Sequence, residues 1–475
     1  MRGVWLTEAV RTAEAALMRT LPEGALMQRA AAGLAHRCAQ VLDGVYGARV
    51  VLLVGAGNNG GDALYAGSGL ARRGAMVQAL LLNPEHAHAG GLAALLAAGG
   101  KVRDASAPDP VAGADLVLDG IVGIGGRSGL EPLAARLAAA ATETGAIRVA
   151  VDLPSGVAAD TGDVAGAAFT ADLTVTFGCL KPGLVVGAGR TLAGVVDVVD
   201  IGLAPYLGPA TIQVPDAVDV AGWLPEPGPR DDKYIRGVLG ISSGSAEYGG
   251  AAVLSVGGAV HGYAGMIRYV GQAGAAVRAR WPEVVVSGGT PAGAGRVQAW
   301  VVGPGLGTDA HAEQVVAEAL ASDVPVLVDA DGLTVLSRHL DWLKRAAETL
   351  LTPHDREFAR LAGEVGADRV GATRRAAAEL GATVLLKGDA TVIASPTGEV
   401  LVDTAGTSWL GTAGSGDVLS GLTGSVLAAG VPALSAAAAG AFLHGLAGRL
   451  ASRGGPISAS DVLKALPEAG RTILR

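Results

Sequence analysis

Little in this chain is aromatic, charged or sulfur-bearing. Phe, Trp and Tyr together make up 4% of 475 residues, so the core must be assembled from Ala, Val and Leu. Only Cys38 and Cys179 occur, far apart and without a partner motif, which argues against an exported, disulfide-stapled fold and fits a reducing, cytoplasmic setting. No long basic run is present and the net charge is −8, so nonspecific nucleic-acid binding is not expected. Arg2, Glu8, Arg11, Glu14 and Arg19 break up the first twenty residues, leaving no room there for a signal-peptide apolar run. A charge-free stretch, Val418 to Gly448, is interrupted by Gly430, Pro432 and Ser435; it reads as two buried helices joined by a turn and not as a membrane span.

Glycine is what the chain has in quantity, 73 residues, and the most informative cluster runs from Gly411 to Gly421 as Gly-Thr-Ala-Gly-Ser-Gly-Asp-Val-Leu-Ser-Gly. A loop with so little side-chain bulk lets backbone N–H groups close on an anion, and the helix starting after it adds its dipole to the same spot. Asp417 then stands in the first turn, beside that anion. A carboxylate does not help to hold a phosphate, so its expected task is to take a proton from a hydroxyl about to attack one. The plainer alternative is a glycine-rich turn with Asp417 as an ordinary helix cap.

The length suggests two domains of roughly 200–250 residues. In the first half, residues 7–42 are expected to be helical, and Arg49 to Val54 reads as a strand followed by Gly55-Ala-Gly-Asn-Asn-Gly-Gly-Asp62. This satisfies G-x-G-x-x-G, but the next strand, Met76 to Leu82, ends in Asn83 where an ordinary dinucleotide site wants an acid. Asn58, Asn59 and Asp62 also crowd the loop with more polar side chains than a phosphate requires. Leu116 to Leu118 leads into Asp119 and then Gly123-Ile-Gly-Gly-Arg-Ser-Gly129; Arg148 to Val151 leads into Asp152-Leu-Pro-Ser155. Ligands bind beyond the carboxyl ends of parallel strands, so Asn59, Asp119, Asp152 and Ser155 are expected to converge, and their oxygens suit a hard cation.

Asn58-Asn-Gly-Gly-Asp62, Asp152-Leu-Pro-Ser-Gly156, Lys181-Pro-Gly183, Val198-Val-Asp-Ile-Gly202 and the opening Leu26-Met-Gln-Arg-Ala30 together resemble the NAD(P)HX epimerase domain over about residues 5–205. The resemblance implies that Asn58, Asn59, Gly60, Gly61 and Asp62, with Gly123, Ile124, Gly125, Gly126, Arg127, Ser128 and Gly129, hold the hydrated cofactor. It places Asp152 beside the sugar or reacting ring as a catalytic candidate, and Asn59, Asp119 and Ser155 on a potassium ion. The family usually has Gly at Ala63 and Thr at Ile124.

Prolines 205, 209, 215, 225, 227 and 229 mark the expected boundary, with residues 1–210 as the first domain, 211–229 as a linker and 230–475 as the second domain. The first domain is expected to be a Rossmann-like doubly wound α/β sheet. In the second half, strands at Val238–Ile241, Val297–Val302, Val326–Val328 and Thr383–Leu386 alternate with helical segments, describing a second doubly wound α/β domain. Gly244-Ser-Ala-Glu-Tyr248, Gly303-Pro-Gly-Leu-Gly307, Thr352-Pro-His354, Lys387-Gly388 and Gly414-Ser-Gly-Asp417 resemble the ribokinase-like ADP/ATP-dependent NAD(P)HX dehydratase over about residues 225–475. This implies substrate contacts at Ala251, Gly305, His354 and Asp417, and a nucleotide on Lys387, Gly388, Asp389, Ala390, Thr391 and Gly416, with Mg2+ accompanying it. Asp329-Ala-Asp-Gly-Leu-Thr334 and Ser415 depart mildly from the family's usual Asp-Ala-Asp-Ala-Leu-Asn and Thr.

The two resemblances imply one task, repair of hydrated NADH and NADPH (NADHX and NADPHX). The first domain would interconvert the C6 epimers; the second would phosphorylate the C6 hydroxyl of one epimer with ADP, expel phosphate and leave AMP. A homo-oligomer without nucleic-acid or membrane partners is expected. Two rivals stand beside this reading. One is an ATP-dependent vitamin or sugar kinase of the same superfold, whose base lies in a similar loop. The other is a binding protein whose first domain only senses a nucleotide-like ligand or RNA; the acidic charge and the absence of a basic, aromatic-rich face speak against RNA.

Overall fold

The computed structural model describes residues 1–474, and the chain divides into two compact units, Gly3–Thr211 and Ile212–Arg475 together with Met1–Arg2. The expected single helical region at 7–42 is two helices, Thr7–Met18 and Ala25–Val41, broken where Pro22 and the left-handed Gly24 (φ 76°) turn the chain. Residues 211–229, expected as a linker, carry the strand Ile212–Val214 and the helix Ala217–Trp223, both within the second unit. Asp216 opens that helix with a capping box to Asp219, which is why a proline-rich stretch is nonetheless ordered.

The first unit is built on seven parallel strands. In spatial order these are Lys101–Arg103, Met76–Leu81, Arg49–Val54, Leu116–Gly120, Ile147–Val151, Leu173–Phe177 and Val195–Val199. The order reverses between Arg49–Val54 and Leu116–Gly120, the switch point at which neighbouring loops diverge and leave a crevice. The sheet is covered on both faces. Along Arg49–Val54, Val50, Leu52 and Val54 join one apolar cluster while Val51 and Leu53 join the other, so the strand reads as an unbroken apolar run.

Eleven strands make the second sheet. Its parallel centre runs Thr383–Leu386, Thr349–Leu351, Val326–Val328, Ala299–Val302, Val238–Ser242, Met266–Val270 and Val285–Ser287. Ser242, Val302, Val328 and Leu351 end side by side in register, so the loops after them leave from one edge. The charge-free stretch forms the two expected helices, Ser415–Ala428 and Ala433–Ser452. Among the described residues no helix is long and apolar enough to cross a membrane.

Helix Ser415–Ala428, which carries the glycine-rich loop at its N-terminus, is positioned by backbone contact with Gly249–Val260. A Cβ on Gly421 would lie 1.7 Å from the Ser255 carbonyl oxygen, and one on Gly258 would lie 2.2 Å from that of Val418. Neither site has room for a side chain, because the obstacle is backbone. Gly421→Ala is therefore expected to destabilise the second unit by about 1–3 kcal/mol despite alanine's better helix propensity. Five of the six tryptophans lie in this unit, so its urea midpoint can be followed by their fluorescence.

Candidate active sites

In the first unit the strand ends bring the expected residues together. Helix Asn58–Arg72 starts three residues after the strand Arg49–Val54; Asn59 lies in its first turn and Asp62 just beyond it, both buried. Asp119 is fully buried: its Oδ1 accepts from Ser155 Oγ at 2.7 Å and from the Ile121 N–H at 3.2 Å, and its Oδ2 from the Ser155 N–H at 2.8 Å. Burial pushes its carboxyl up to about 6 even against those hydrogen bonds. Asn59 Oδ1 and Asp152 Oδ2 both face Gly123, where an added Cβ would stand 2.8 Å from the first and 3.5 Å from the second. Asn59 Nδ2 and Asp62 Oδ1 are buried with no partner of their own, as expected of groups awaiting a ligand.

Asp152 occupies the left-handed region (φ 67°), a conformation costing of order 1–3 kcal/mol for a non-glycine residue. Its Oδ1 accepts from Lys181 Nζ at 2.6 Å, Thr176 Oγ1 at 2.9 Å and the Phe177 N–H at 3.4 Å. Lys181 is 1% exposed and spends its remaining hydrogens on Thr176 Oγ1 and the Phe177 carbonyl, at 2.9 and 3.0 Å. Two more acids gather here. Burial, with Asp152 and Glu14 alongside, pushes Asp62 well above the ordinary carboxylate range, and burial likewise raises Glu14, on the first helix, against the pull of Lys181.

The 123–129 loop is fastened to the segment beyond Ser155. Gly129 N–H donates to the Gly156 carbonyl at 2.8 Å, Ser128 Oγ donates to the Asp163 carbonyl at 3.2 Å, and Arg11 reaches the Ile124 carbonyl at 3.1 Å. Ile124 packs partly on the apolar cluster, whereas Gly125 and Arg127 are exposed.

The second unit places Asp417 in the first turn of its helix, after Gly414 (φ 84°). Burial first, then Asp329 and Asp331, push its carboxyl up to about 7, with Lys387 opposing. Lys387 Nζ donates to Asp329 Oδ1 at 2.7 Å and stands 3.8 Å from Glu357 Oε2; desolvation works against its charge, but Asp329 and Glu357 outweigh it and hold the ammonium above its usual range. Ser420 Oγ donates to Asp329 Oδ2 at 2.6 Å. A cavity of about 560 Å³ opens beside this cluster, lined by His354, Lys387, Gly388, Asp389, Thr391 and Gly416 among others. His354 does two jobs: its Nδ1 accepts from the Arg356 and Glu357 N–H groups as a helix cap, while its ring borders the cavity. Ala390 is buried beneath the loop. Gly305 and Ala251 do not line that cavity; they touch each other beside Tyr248, and the neighbouring Gly307 N–H donates to Asp331 at 2.9 Å.

Several residues of these clusters were not singled out as site residues from sequence. Asp329 ends a strand just as Asp119 does, so the strand-end rule could have found it. Lys181, Thr176, Glu14 and Glu357 carry no such signal, since a lone lysine or glutamate reads as surface charge until the fold buries it.

The chain matches the family model described as NAD(P)H-hydrate dehydratase over residues 239–467 and that described as YjeF-related protein N-terminus over residues 23–183. It is 52% identical to the bifunctional NAD(P)H-hydrate repair enzyme of Mycobacterium tuberculosis over 440 residues, spanning 91% of this chain and 90% of that protein. It is 37% identical to the enzyme of the same name from Corynebacterium glutamicum, spanning 90% and 87%. Among solved structures, the ADP/ATP-dependent NAD(P)H-hydrate dehydratase of Bacillus subtilis, co-crystallised with ATP and Mg2+, superposes with TM-score 0.50 at 26% identity, covering 55% of this chain and 99% of that one. A ribokinase-like superfamily protein from Enterococcus faecalis (TM-score 0.51, 23% identity, 56% and 98%) shares the fold. With both halves matched in a single chain, and over 87–90% of the length of those relatives, this protein belongs to the bifunctional NAD(P)H-hydrate repair enzymes.

Proposed function

We propose that the Asn59–Asp62–Asp152 cluster epimerises hydrated NADH and NADPH at C6, and that the Asp417 loop dehydrates one epimer at the expense of ADP. The observation that carries the second assignment is the placement of Asp417 in the first turn of a helix, beside the Lys387–Asp329 pair and a cavity of nucleotide size, where its carboxyl is pushed up to about 7. Hydroxide is a poor leaving group, so the C6 hydroxyl must first become a phosphate ester. Asp417 takes the hydroxyl proton as the oxygen attacks the terminal phosphoryl group of ADP; AMP departs, the ring nitrogen expels phosphate, and the resulting iminium gives up a C5 proton to the departing phosphate, restoring the C5=C6 double bond. The Gly416 backbone N–H and the dipole of the helix would meet the charge that develops on the phosphoryl oxygens, whereas the Ser415 N–H is turned to the Thr412 carbonyl at 3.3 Å.

Lys387, Gly388, Asp389, Ala390, Thr391 and Gly416 would hold the nucleotide. His354, Ala251 and Gly305 would face the dinucleotide substrate. Asp329 and Asp331 offer hard oxygens toward a nucleotide-borne Mg2+, which would be held mainly by phosphates and would neutralise their charge. Among the described residues no three His, Cys, Asp or Glu side chains gather to hold a metal ion, so neither unit carries a dedicated divalent cage. A cation in the first unit would rest on neutral oxygens and one carboxylate: Asn59, Ser155 and Asp119. That donor set fits potassium, since Asp119 is a fully buried carboxylate hydrogen-bonded by Ser155 and the Ile121 N–H. Bound there, the ion would balance the buried charge and attract ligand phosphates.

Asp417→Asn should lower dehydration by about 10²–10⁴-fold while ADP binding, measured by calorimetry, persists. Because the Asp417 carboxyl is raised, its base form is lost as pH falls through about 7; the parent's kcat/KM should fall about tenfold per unit below that point. Asp119→Ala should remove any potassium dependence of epimerisation and leave dehydration of the single epimer unchanged. A chain cut after Thr211 should yield a second half that dehydrates only one epimer, checked by adding the first half back to an epimer mixture.

A further inference from the structure

The two oxygens of Asp152 have different surroundings. Oδ1 is saturated by Lys181 Nζ, Thr176 Oγ1 and the Phe177 N–H, at 2.6, 2.9 and 3.4 Å. Oδ2 has no such donors and faces Gly123 and Asn59, on the side where Asn59 Nδ2 lacks a partner. The lysine is itself fully occupied, with three acceptors for three hydrogens, and it is 1% exposed. A fully hydrogen-bonded ammonium sealed from solvent has no hydrogen left for a ligand. Its geometry serves the carboxylate.

We propose that Lys181 is the positioning residue of the epimerase reaction, locking Oδ1 so that Asp152 presents Oδ2 alone to the substrate as a general base. This rests on the epimerase reading above. The C6 carbon of the hydrated ring bears both a hydroxyl and the ring nitrogen, so it is a carbinolamine. Oδ2 takes the hydroxyl proton; the C6–O bond becomes a carbonyl as the C6–N1 bond breaks, and its electron pair passes to N1 and the conjugated carboxamide. The proton returns from Oδ2 to N1. Rotation about C5–C6 turns the other face of the carbonyl to N1, and the reverse steps close the ring as the opposite epimer, with no atom or electron gained or lost.

The charged groups facing Asp152 from the surrounding elements are Lys181, Asp62 and Glu14, with Arg11 beyond Glu14. Three acids against one lysine make the single ammonium decisive for where the negative charge sits. A lysine that merely filled space could be replaced by an apolar chain of the same length.

The test uses the full-length chain and an epimer mixture of hydrated NADH. Lys181→Met should lower the epimerisation kcat about 100-fold with KM changed less than about threefold. In Lys181→Ala, propylammonium should restore at least about tenfold in a saturable manner, whereas propanol, of the same shape and without charge, should not. Lys181→Arg should not substitute, because the guanidinium's planar fork does not reproduce three tetrahedral donors. Dehydration of the single epimer by the same variants reports that the rest of the chain is intact. Should Lys181→Met unfold the first unit, Thr176→Val, an isosteric change that removes one donor to Oδ1, should still lower kcat about five- to tenfold. A Lys181→Met variant within threefold of the parent, equal rescue by propanol, or an unaffected Thr176→Val would each overturn the proposal. If the parent itself fails to epimerise, the underlying epimerase reading falls instead.

Discussion

A lysine ammonium held against a buried carboxylate is the interaction on which both sites depend. Lys181 pairs with Asp152 in the first unit and Lys387 with Asp329 in the second, at 2.6 and 2.7 Å. The arrangement recurs because both units have parallel sheets: a lysine just past one strand reaches the acid beyond the adjacent strand in the first unit, and beyond the next strand but one in the second. Removing one member of such a pair typically costs about 3–5 kcal/mol, since it leaves a buried charge uncompensated. The pairs therefore tie the integrity of each sheet's carboxyl edge to the residues that do chemistry there.

Each pair also leaves a second acid unneutralised. Asp417 is buried near Asp329 and Asp331 with Lys387 to offset them, and Asp62 is buried near Asp152 and Glu14. Excess negative charge in a poorly hydrated pocket drives proton affinity upward. The consequence is a carboxyl at Asp417 that can both accept and release a proton near neutral pH, which a solvent-exposed aspartate cannot.

Much of this was readable in the chain. The strand ends, the three glycine-rich loops and Asp417 in a first helical turn follow from short-range patterns: apolar runs, glycines and the polar residues just beyond them. The convergence of Asn59, Asp119, Asp152 and Ser155 follows from the rule that parallel strands deliver their loops to one edge. What stayed hidden was long-range. Nothing around Lys181 tells that it will be buried 29 residues from the acid it serves, and nothing around Glu357 tells that it will face Lys387. The helix break at Pro22 and Gly24 was missed because amphipathic spacing continues on both sides of it. The strand and helix inside the proline-rich 211–229 segment were missed because Ile212–Val214 gains its ladder with Val400–Asp403 from far away in sequence.

The left-handed backbone at Asp152 limits what this position can become. Asparagine and glycine enter that region most readily, while a longer or β-branched side chain adds strain to the turn between the Ile147–Val151 strand and Pro154. Drift at this codon is thus channelled: glutamate keeps the charge but costs more at the turn. A lineage that relaxed selection on the first unit would be expected to show asparagine or glycine here before anything else, a fold-compatible scar recording which half of the enzyme had fallen silent.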